Sequence, residues 1–392
     1  MPKPELRQPS AQAPLPVVAL DDSQRLACLR LVRSENVGPV TFRALINHYG
    51  GATRALEALP ELSRRGGRRR APRICSAAAA EEELAAARRA GAQPVFTIEP
   101  GYPAPLAFLD GAPPMLYVKG DARLLDRPVV ALVGSRDASA AGQRLARQLA
   151  SGISAAGYVV ASGLARGIDA EAHRAALDGG TVAVLAGGID VVYPPEHRSL
   201  QEAIAERGCL LTEQPPGFVA RAQDFPRRNR ILSGISLAVV VVEATRRSGS
   251  LITARFAGEQ GREVMAVPGH PLDPRAEGTN RLIKDGAALV TSAEDILRAL
   301  SCPAPASALK EAAAPAVVAE AQGDEARVVE EPAADSHDRI IRALGPAPVD
   351  VNELARAADL PIRAVQVALM ELALAGRIEL HGAHLVSLKP PT

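Results

Sequence analysis

Tryptophan is missing from this 392-residue chain, and its aromatic side chains are six phenylalanines and five tyrosines. Any surface on which bases stack must therefore be built from a few rings. Cysteine is scarcer still. Cys28, Cys75, Cys209 and Cys302 are scattered with no Cys-x-x-Cys pair, which argues against a zinc site or a disulfide framework. No apolar run approaches the roughly 18 residues of a membrane span. The Pro-rich start, MPKPELRQPSAQAPLPVVAL, has no basic region leading into a long apolar core, so it does not read as a signal peptide. Two nucleotide fingerprints are absent as well. There is no G-x-x-x-x-G-K-[ST], which argues against a nucleotide triphosphatase, and no G-x-G-x-x-G after the first predicted strand, which argues against NAD. A soluble cytoplasmic protein with no cofactor and no metal is the expectation.

Charge of one sign is also lacking overall, since the formal net charge is +1, but it is unevenly spread. Six arginines and no acid fall between Arg64 and Arg73, and four arginines against Asp224 fall between Arg221 and Arg230. Acidic segments lie at Glu81 to Glu83 and between Glu311 and Asp338. A neutral total that hides basic patches is compatible with nucleic-acid binding.

The length favours two or three domains. Residues 1–21 are expected to be disordered. Residues 22–91 carry helical patterns: LACLRLVRS, VTFRALINHYG and a helix near Ala77 to Ala90. The glycine turn in NVGPVTFRALINHYGG resembles half of a helix-hairpin-helix, whose turn amides hold DNA phosphates; an ordinary turn in a small α domain is the alternative. Pro94 to Gly120 reads as a lead-in packed across the next domain. Within the 92–300 domain, short Val-rich runs alternate with helical spacing: Val129–Val133, Tyr158–Ala161, Thr181–Leu185, Cys209–Thr212, Leu237–Val242, Glu263–Val267 and Ala288–Val290. That pattern predicts an α/β doubly wound, Rossmann-like domain with a mainly parallel sheet. Residues 301–335, rich in Ala and Pro, have linker composition. Residues 336–392 read as three helices and a short hairpin, a winged helix that binds duplex DNA or docks a protein.

Ligands of an open parallel sheet bind outside the carboxyl ends of its strands. The loops there carry Gly134-Ser135-Arg136, Gly163 to Asp169 with Arg166 and Gly167, and Ser248-Gly249-Ser250 opening a helix. Their glycines let amides approach an anion, and Arg136 and Arg166 add full charges. The combination predicts a phosphate-binding rim. Phe225 beside Arg227, Arg228 and Arg230 supplies the ring and the cations that a single-strand groove needs. The alternative is Phe225 in the core and the arginines on a solvated helix face. No catalytic set stands out; Asp169 and His173, four apart, read as a helix-surface ion pair or cap.

Six ordered segments, GSRDAS, SGLARGIDAEAH, AGGIDVVYPPEH, DFPRRNRILSG, RSGSLITARFAGEQGREVMAVPG and GTNRLIKDGA, resemble the DNA-processing protein A family (DprA, also called Smf). The resemblance is dense from about residue 94 to 299. It implies a non-enzymatic homodimer that binds and protects single-stranded DNA and loads the RecA recombinase in natural transformation. It further implies that Arg136, Arg166, Phe225, Arg227, Arg228 and Arg230 line the DNA pocket. Gly134, Ser135, Gly163, Gly167, Ser248, Gly249 and Ser250 would meet phosphate. Some members place a lysine where this chain has Pro195-Glu196 or Arg221-Ala222. The runner-up resemblance is to nucleoside monophosphate phosphoribohydrolases, with the Ser248–Ser250 turn as the nucleotide loop.

Overall fold

A computed structural model describes residues 19–301, 335–382 and 384–389. The expected disordered start up to residue 18, the linker between 302 and 334, Cys302 and Ala383 of the wing lie outside the described residues.

Four helices open the described chain: α1 (Asp22–Val32), α2 (Pro39–Tyr49), α3 (Ala52–Arg65) and α4 (Ala77–Arg89). Asp21, assigned to the disordered start by composition, is ordered. Its side chain accepts from the Gln24 amide while Gln24 returns the bond to the Asp21 amide, a reciprocal capping box that starts α1. α3 went unseen in the sequence because Pro60 sits inside it. Its Ala55, Leu56, Leu59 and Leu62 are spaced for one face and are buried there.

The lead-in is part of the sheet. β1 (Gln93–Phe96) and β2 (Met115–Gly120) pair antiparallel, with the short helix α5 (Ala104–Ala107) between them, and β2 pairs antiparallel with β6 (Cys209–Thr212). The rest of the sheet is parallel: β3 (Val129–Val133), β4 (Val159–Ser162), β5 (Thr181–Val184), β7 (Ala238–Val241), β8 (Glu263–Ala266) and the two-residue β9 (Ala288–Leu289). The order is β1-β2-β6-β5-β4-β3-β7-β8-β9. The chain builds outward from β3 to β6, then returns to the other side of β3, so the strand order reverses between β3 and β7.

The Val-rich runs need no alternation because both faces of these strands are covered. Val129, Ala131 and Val133 face the core that also holds Ile231, Leu232, Ala254 and Ala257, from α9 (Asp224–Gly234) and α10 (Ser250–Glu259). Val130 and Leu132 face Leu149, Ile153, Ala172 and Ala176, from α6 (Ala140–Ala155) and α7 (Ile168–Ala176). Helices α8 (Arg198–Arg207), α11 (Glu277–Lys284) and α12 (Ala293–Ser301) complete the layers. The front helices join the sheet edge: Phe96, Met115 and Tyr117 belong to the same core as Leu29, Phe42 and Leu59.

The tail folds as α13 (Ser336–Ala343), β10 (Val349–Asp350), α14 (Val351–Ala358), α15 (Ile362–Leu374), β11 (Ile378–His381) and β12 (Leu385–Leu388). This is a winged helix whose sheet, β10-β12-β11, has one strand more than the expected hairpin. Among the described residues no helix is long and apolar enough to cross a membrane, and no His, Cys, Asp and Glu cluster could hold a metal ion.

Candidate nucleic-acid interface

The rim begins where β3 ends. Gly134 and the buried Ser135 turn the chain, and Arg136 projects into solvent. The next loop lies directly on this one. Gly167, at φ 71°, is placed so that a Cβ would come within 2.7 Å of the Arg136 carbonyl oxygen. The Ile168 amide donates to the Ser135 carbonyl at 3.2 Å. Only glycine tolerates both that φ and that approach.

Asp169 and His173 are buried on α7, so the surface ion-pair reading is wrong, and neither caps the helix, which starts after Gly167 with no side-chain cap. The Asp169 carboxylate accepts the amides of Gly163 at 3.2 Å and Ala165 at 3.3 Å, closing the loop ahead of α7. Burial raises the Asp169 carboxyl, against the pull of Arg228 and those two amides. His173 Nδ1 lies 2.7 Å from Thr181 Oγ1, whose single proton goes to the Val160 carbonyl at 2.8 Å. The threonine must therefore accept, which fixes the proton on Nδ1 and leaves Nε2 buried with no partner.

The arginines of α9 separate into three environments. Arg227 is exposed. Arg228 is buried, donates Nε to Asn229 Oδ1 at 3.1 Å and Nη1 to the Val184 carbonyl, and fills the space in front of Gly163, where a Cβ would collide with the guanidinium. Burial is the main force drawing the Arg228 guanidinium down to about 10, with Asp169 opposing and Arg136 assisting. Arg230 is mostly covered, held by the Gly111 carbonyl at 2.6 Å and paired with Glu213. The sequence grouped three equivalent cations; the fold makes one exposed cation, one internal brace and one neutralised pair.

Phe225 is half-buried and stands between two groups. The Arg136 guanidinium carbon lies 5.3 Å from its ring centroid, and the Tyr193 ring centroid lies 5.3 Å away at an interplanar angle of 57°. Tyr193 is 50% exposed and was missed in the sequence. The available signal was an aromatic residue in the loop after the third parallel strand, on the same sheet edge as Arg136. Arg166 also reaches this edge, but it is paired with Glu196, and both side chains are about half exposed.

The crevice between β3 and β7 is where doubly wound sheets usually hold a ligand. Here Glu243 fills it. Its carboxylate accepts the Ser139 amide at 3.0 Å and the Ser139 hydroxyl at 2.5 Å, capping the start of α6. A phosphate at that helix end would face a fixed negative charge. The Ser248-Gly249-Ser250 turn is open by comparison. Gly249 is exposed with no atom near a hypothetical Cβ, Ser248 Oγ meets Ser250 Oγ at 2.8 Å, and Asn229 Nδ2 holds the Gly249 carbonyl at 3.4 Å. Glu259, the acid that a phosphoribohydrolase reading would use, closes the far end of α10 and pairs with Arg255 at 3.5 Å. Nine residues of helix put it roughly 14 Å along the axis from Ser250.

Fold and rim together define a class: a doubly wound α/β protein with a cationic, aromatic edge, carried between a small helical front domain and a winged helix. The chain belongs to the DNA-processing protein A (DprA) family. The family described as DNA recombination-mediator protein A matches residues 93–301, a DprA-like N-terminal HHH domain matches 22–86, and a DprA winged helix domain matches 312–384. The chain is 44% identical over 198 residues to DNA processing protein DprA of Streptococcus pneumoniae, covering 50% of this chain and 70% of that one. It is 42% identical over 202 residues to protein Smf of Escherichia coli, covering 51% of this chain and 54% of that one, so the match spans about half of that relative. The X-ray structure of DprA from Streptococcus pneumoniae superposes with a TM-score of 0.59 at 34% identity, covering 71% of this chain and 98% of that one.

Proposed function

We propose that this protein binds single-stranded DNA along the carboxyl edge of its sheet, protects it, and passes it to the RecA recombinase in natural transformation and recombination. One observation carries the reading. Arg136, Phe225 and Tyr193 form a contiguous cation–aromatic surface with ring and guanidinium centres about 5 Å apart. A backbone phosphate needs the cation and an unstacked base needs a ring face, and both are offered side by side. Exposed Arg227 and Arg166 extend the charge, and the open Ser248–Ser250 turn offers amides and hydroxyls. In this proposal Gly134, Ser135, Gly163, Gly167 and Arg228 shape the loops from behind, while Arg230 sets the position of α9.

A homodimer through the α/β domain would double the length of strand engaged. The site as described needs positioning and charge and assigns no residue to bond-breaking. Oligo-dT and a duplex of equal length, titrated across a salt series, test the proposal. Binding should favour the single strand and weaken steeply with salt as counterions are released. Equal affinity for both, or binding insensitive to salt, would overturn it. Stimulation of RecA filament growth on coated single strands tests the hand-over separately.

A further inference from the structure

The front helical domain and the winged helix are locked together through the two elements that each would present to a DNA backbone. On the front domain that element is the turn before α2, residues 34–38. Asn36, at φ 61°, donates Nδ2 to the Leu374 carbonyl at 2.9 Å, satisfying one of the orphan carbonyls at the end of α15. Gly38, which leads into α2, shares a cavity of about 280 Å3 with Gly376, Glu379 and Lys389. Residues of the winged helix thus occupy the space where a phosphate would approach the turn.

On the winged helix the element is α15, the helix that reads DNA in this fold. Arg363 and Gln366 at its start are exposed. Met370 and Leu374 continue the same stripe by helical spacing, and they belong to the front domain's core with Leu45, Leu59 and Leu62, not to the winged helix's own. Glu371 is fully buried in the seam, 2.7 Å from His337 Nε2 and 3.9 Å from Arg65. At the other end the wing reaches the α/β domain, with His384 Nε2 3.6 Å from Asp110.

One residue indicates that the sequence is fitted to this contact. Gly66 ends α3 with φ −66° and ψ −1°, a conformation open to any side chain. A Cβ there would nevertheless run into the Glu371 carbonyl and come within 2.8 Å of Ala375 Cβ. Nothing in the front domain demands glycine at this position; the docked helix does.

We propose that this docking is autoinhibitory towards duplex DNA. The α2 turn and the α15 stripe form a second nucleic-acid surface, specific for the duplex backbone and groove; in the closed arrangement the front domain covers the Met370 and Leu374 end of the stripe, so that α15 cannot lie along a groove although Arg363 and Gln366 stay exposed. The single-strand rim lies on the α/β domain and is untouched by it. Opening the seam therefore creates duplex binding without altering single-strand binding.

Two full-length variants open the seam from opposite sides by steric wedging, Gly66→Leu and Ala375→Leu, at the point where a Cβ on residue 66 would come within 2.8 Å of Ala375 Cβ. Neither belongs to the rim or to the winged helix's own core. Small-angle scattering reads the opening as a larger radius of gyration, and anisotropy reads binding to a blunt duplex and to oligo-dT. If the closed form holds all but about a tenth of the molecules, the opened variants should bind duplex roughly tenfold more tightly than wild type, with oligo-dT affinity unchanged. Expansion without a gain in duplex affinity would overturn the masking role and leave a protein partner as the ligand of the released helix. No expansion in either variant would overturn the seam itself.

Discussion

The Arg136 guanidinium sits over the Phe225 ring, its carbon 5.3 Å from the centroid, and Tyr193 closes on the same ring from another side. A cation parked on a ring in the free protein is pre-positioned for a phosphate, with the Tyr193 face available to a base. Arg136→Ala should weaken oligo-dT binding by about 1–3 kcal/mol, the range of charge-assisted contacts. Tyr193→Ala should cost about 1–3 kcal/mol through lost stacking and leave the melting temperature unchanged, because half of the side chain is already in water. Anisotropy titrations and thermal melts of both variants check this. Wild-type affinity in both would remove the rim from the binding site.

Arg166 reaches the same edge with its charge already answered by Glu196, an exposed pair. Exposed pairs contribute little to stability, so if Arg166 meets phosphate as proposed, Glu196 competes for it. Glu196→Ala should tighten oligo-dT binding and steepen its salt dependence, by about 0.7 in the log–log slope for one added contact to a single strand. Glu196→Lys should do more. A slope that does not move in either variant would mean that Arg166 takes no part.

Arg228 predicts a different outcome from Arg136 although both were expected to line the pocket. It is buried, braces the Val184 carbonyl and Asn229, and offsets the buried Asp169. Removing it leaves the buried Val184 carbonyl without its donor, a change that typically costs about 1–3 kcal/mol. Arg228→Ala should therefore lower denaturant stability and lose DNA binding together, whereas Arg136→Ala should lose binding alone. Chemical denaturation of the two variants separates brace from contact; equal stability would place Arg228 on the surface.

Most of the sheet was legible because its central strands are buried on both faces and so appear as bare Val-rich runs. β3 and β6 match the expected bounds residue for residue, and the other parallel strands differ by one residue at one or both ends. β1 and β2 were not legible, since they lie among prolines and glycines and make their pairs across the sheet edge. The site was legible as a set of loops but not as a set of environments. Arg227, Arg228 and Arg230 are indistinguishable in sequence, and only the packing of α9 against the Gly163 loop and Glu213 tells them apart. The seam around Gly66 could not be anticipated, because a glycine after an arginine-rich helix end is an ordinary stop signal.

His173 gives the fold a specific acid sensitivity. Burial first, with Arg228, His197 and Arg174 adding to it, pushes the imidazole from 6.5 down to about 3. The folded chain therefore keeps it neutral across a range where the unfolded chain takes up a proton. Stability from this group is complete above pH 6.5 and is lost as pH falls towards 3. At pH 5 the loss is about 2 kcal/mol for an unfolded-state pKa near 6.5. Asp169 works in the opposite sense, because a raised carboxyl favours the folded form as pH falls; the comparison must therefore be made within one site. His173→Asn keeps a short amide directed at Thr181 and removes the titration. Its stability should be lower than wild type at pH 7.5 but should decline by about 2 kcal/mol less on going to pH 5. Urea unfolding of both proteins at the two pH values measures that difference. Parallel declines would mean that His173 takes up its proton in the folded state as readily as in the unfolded one.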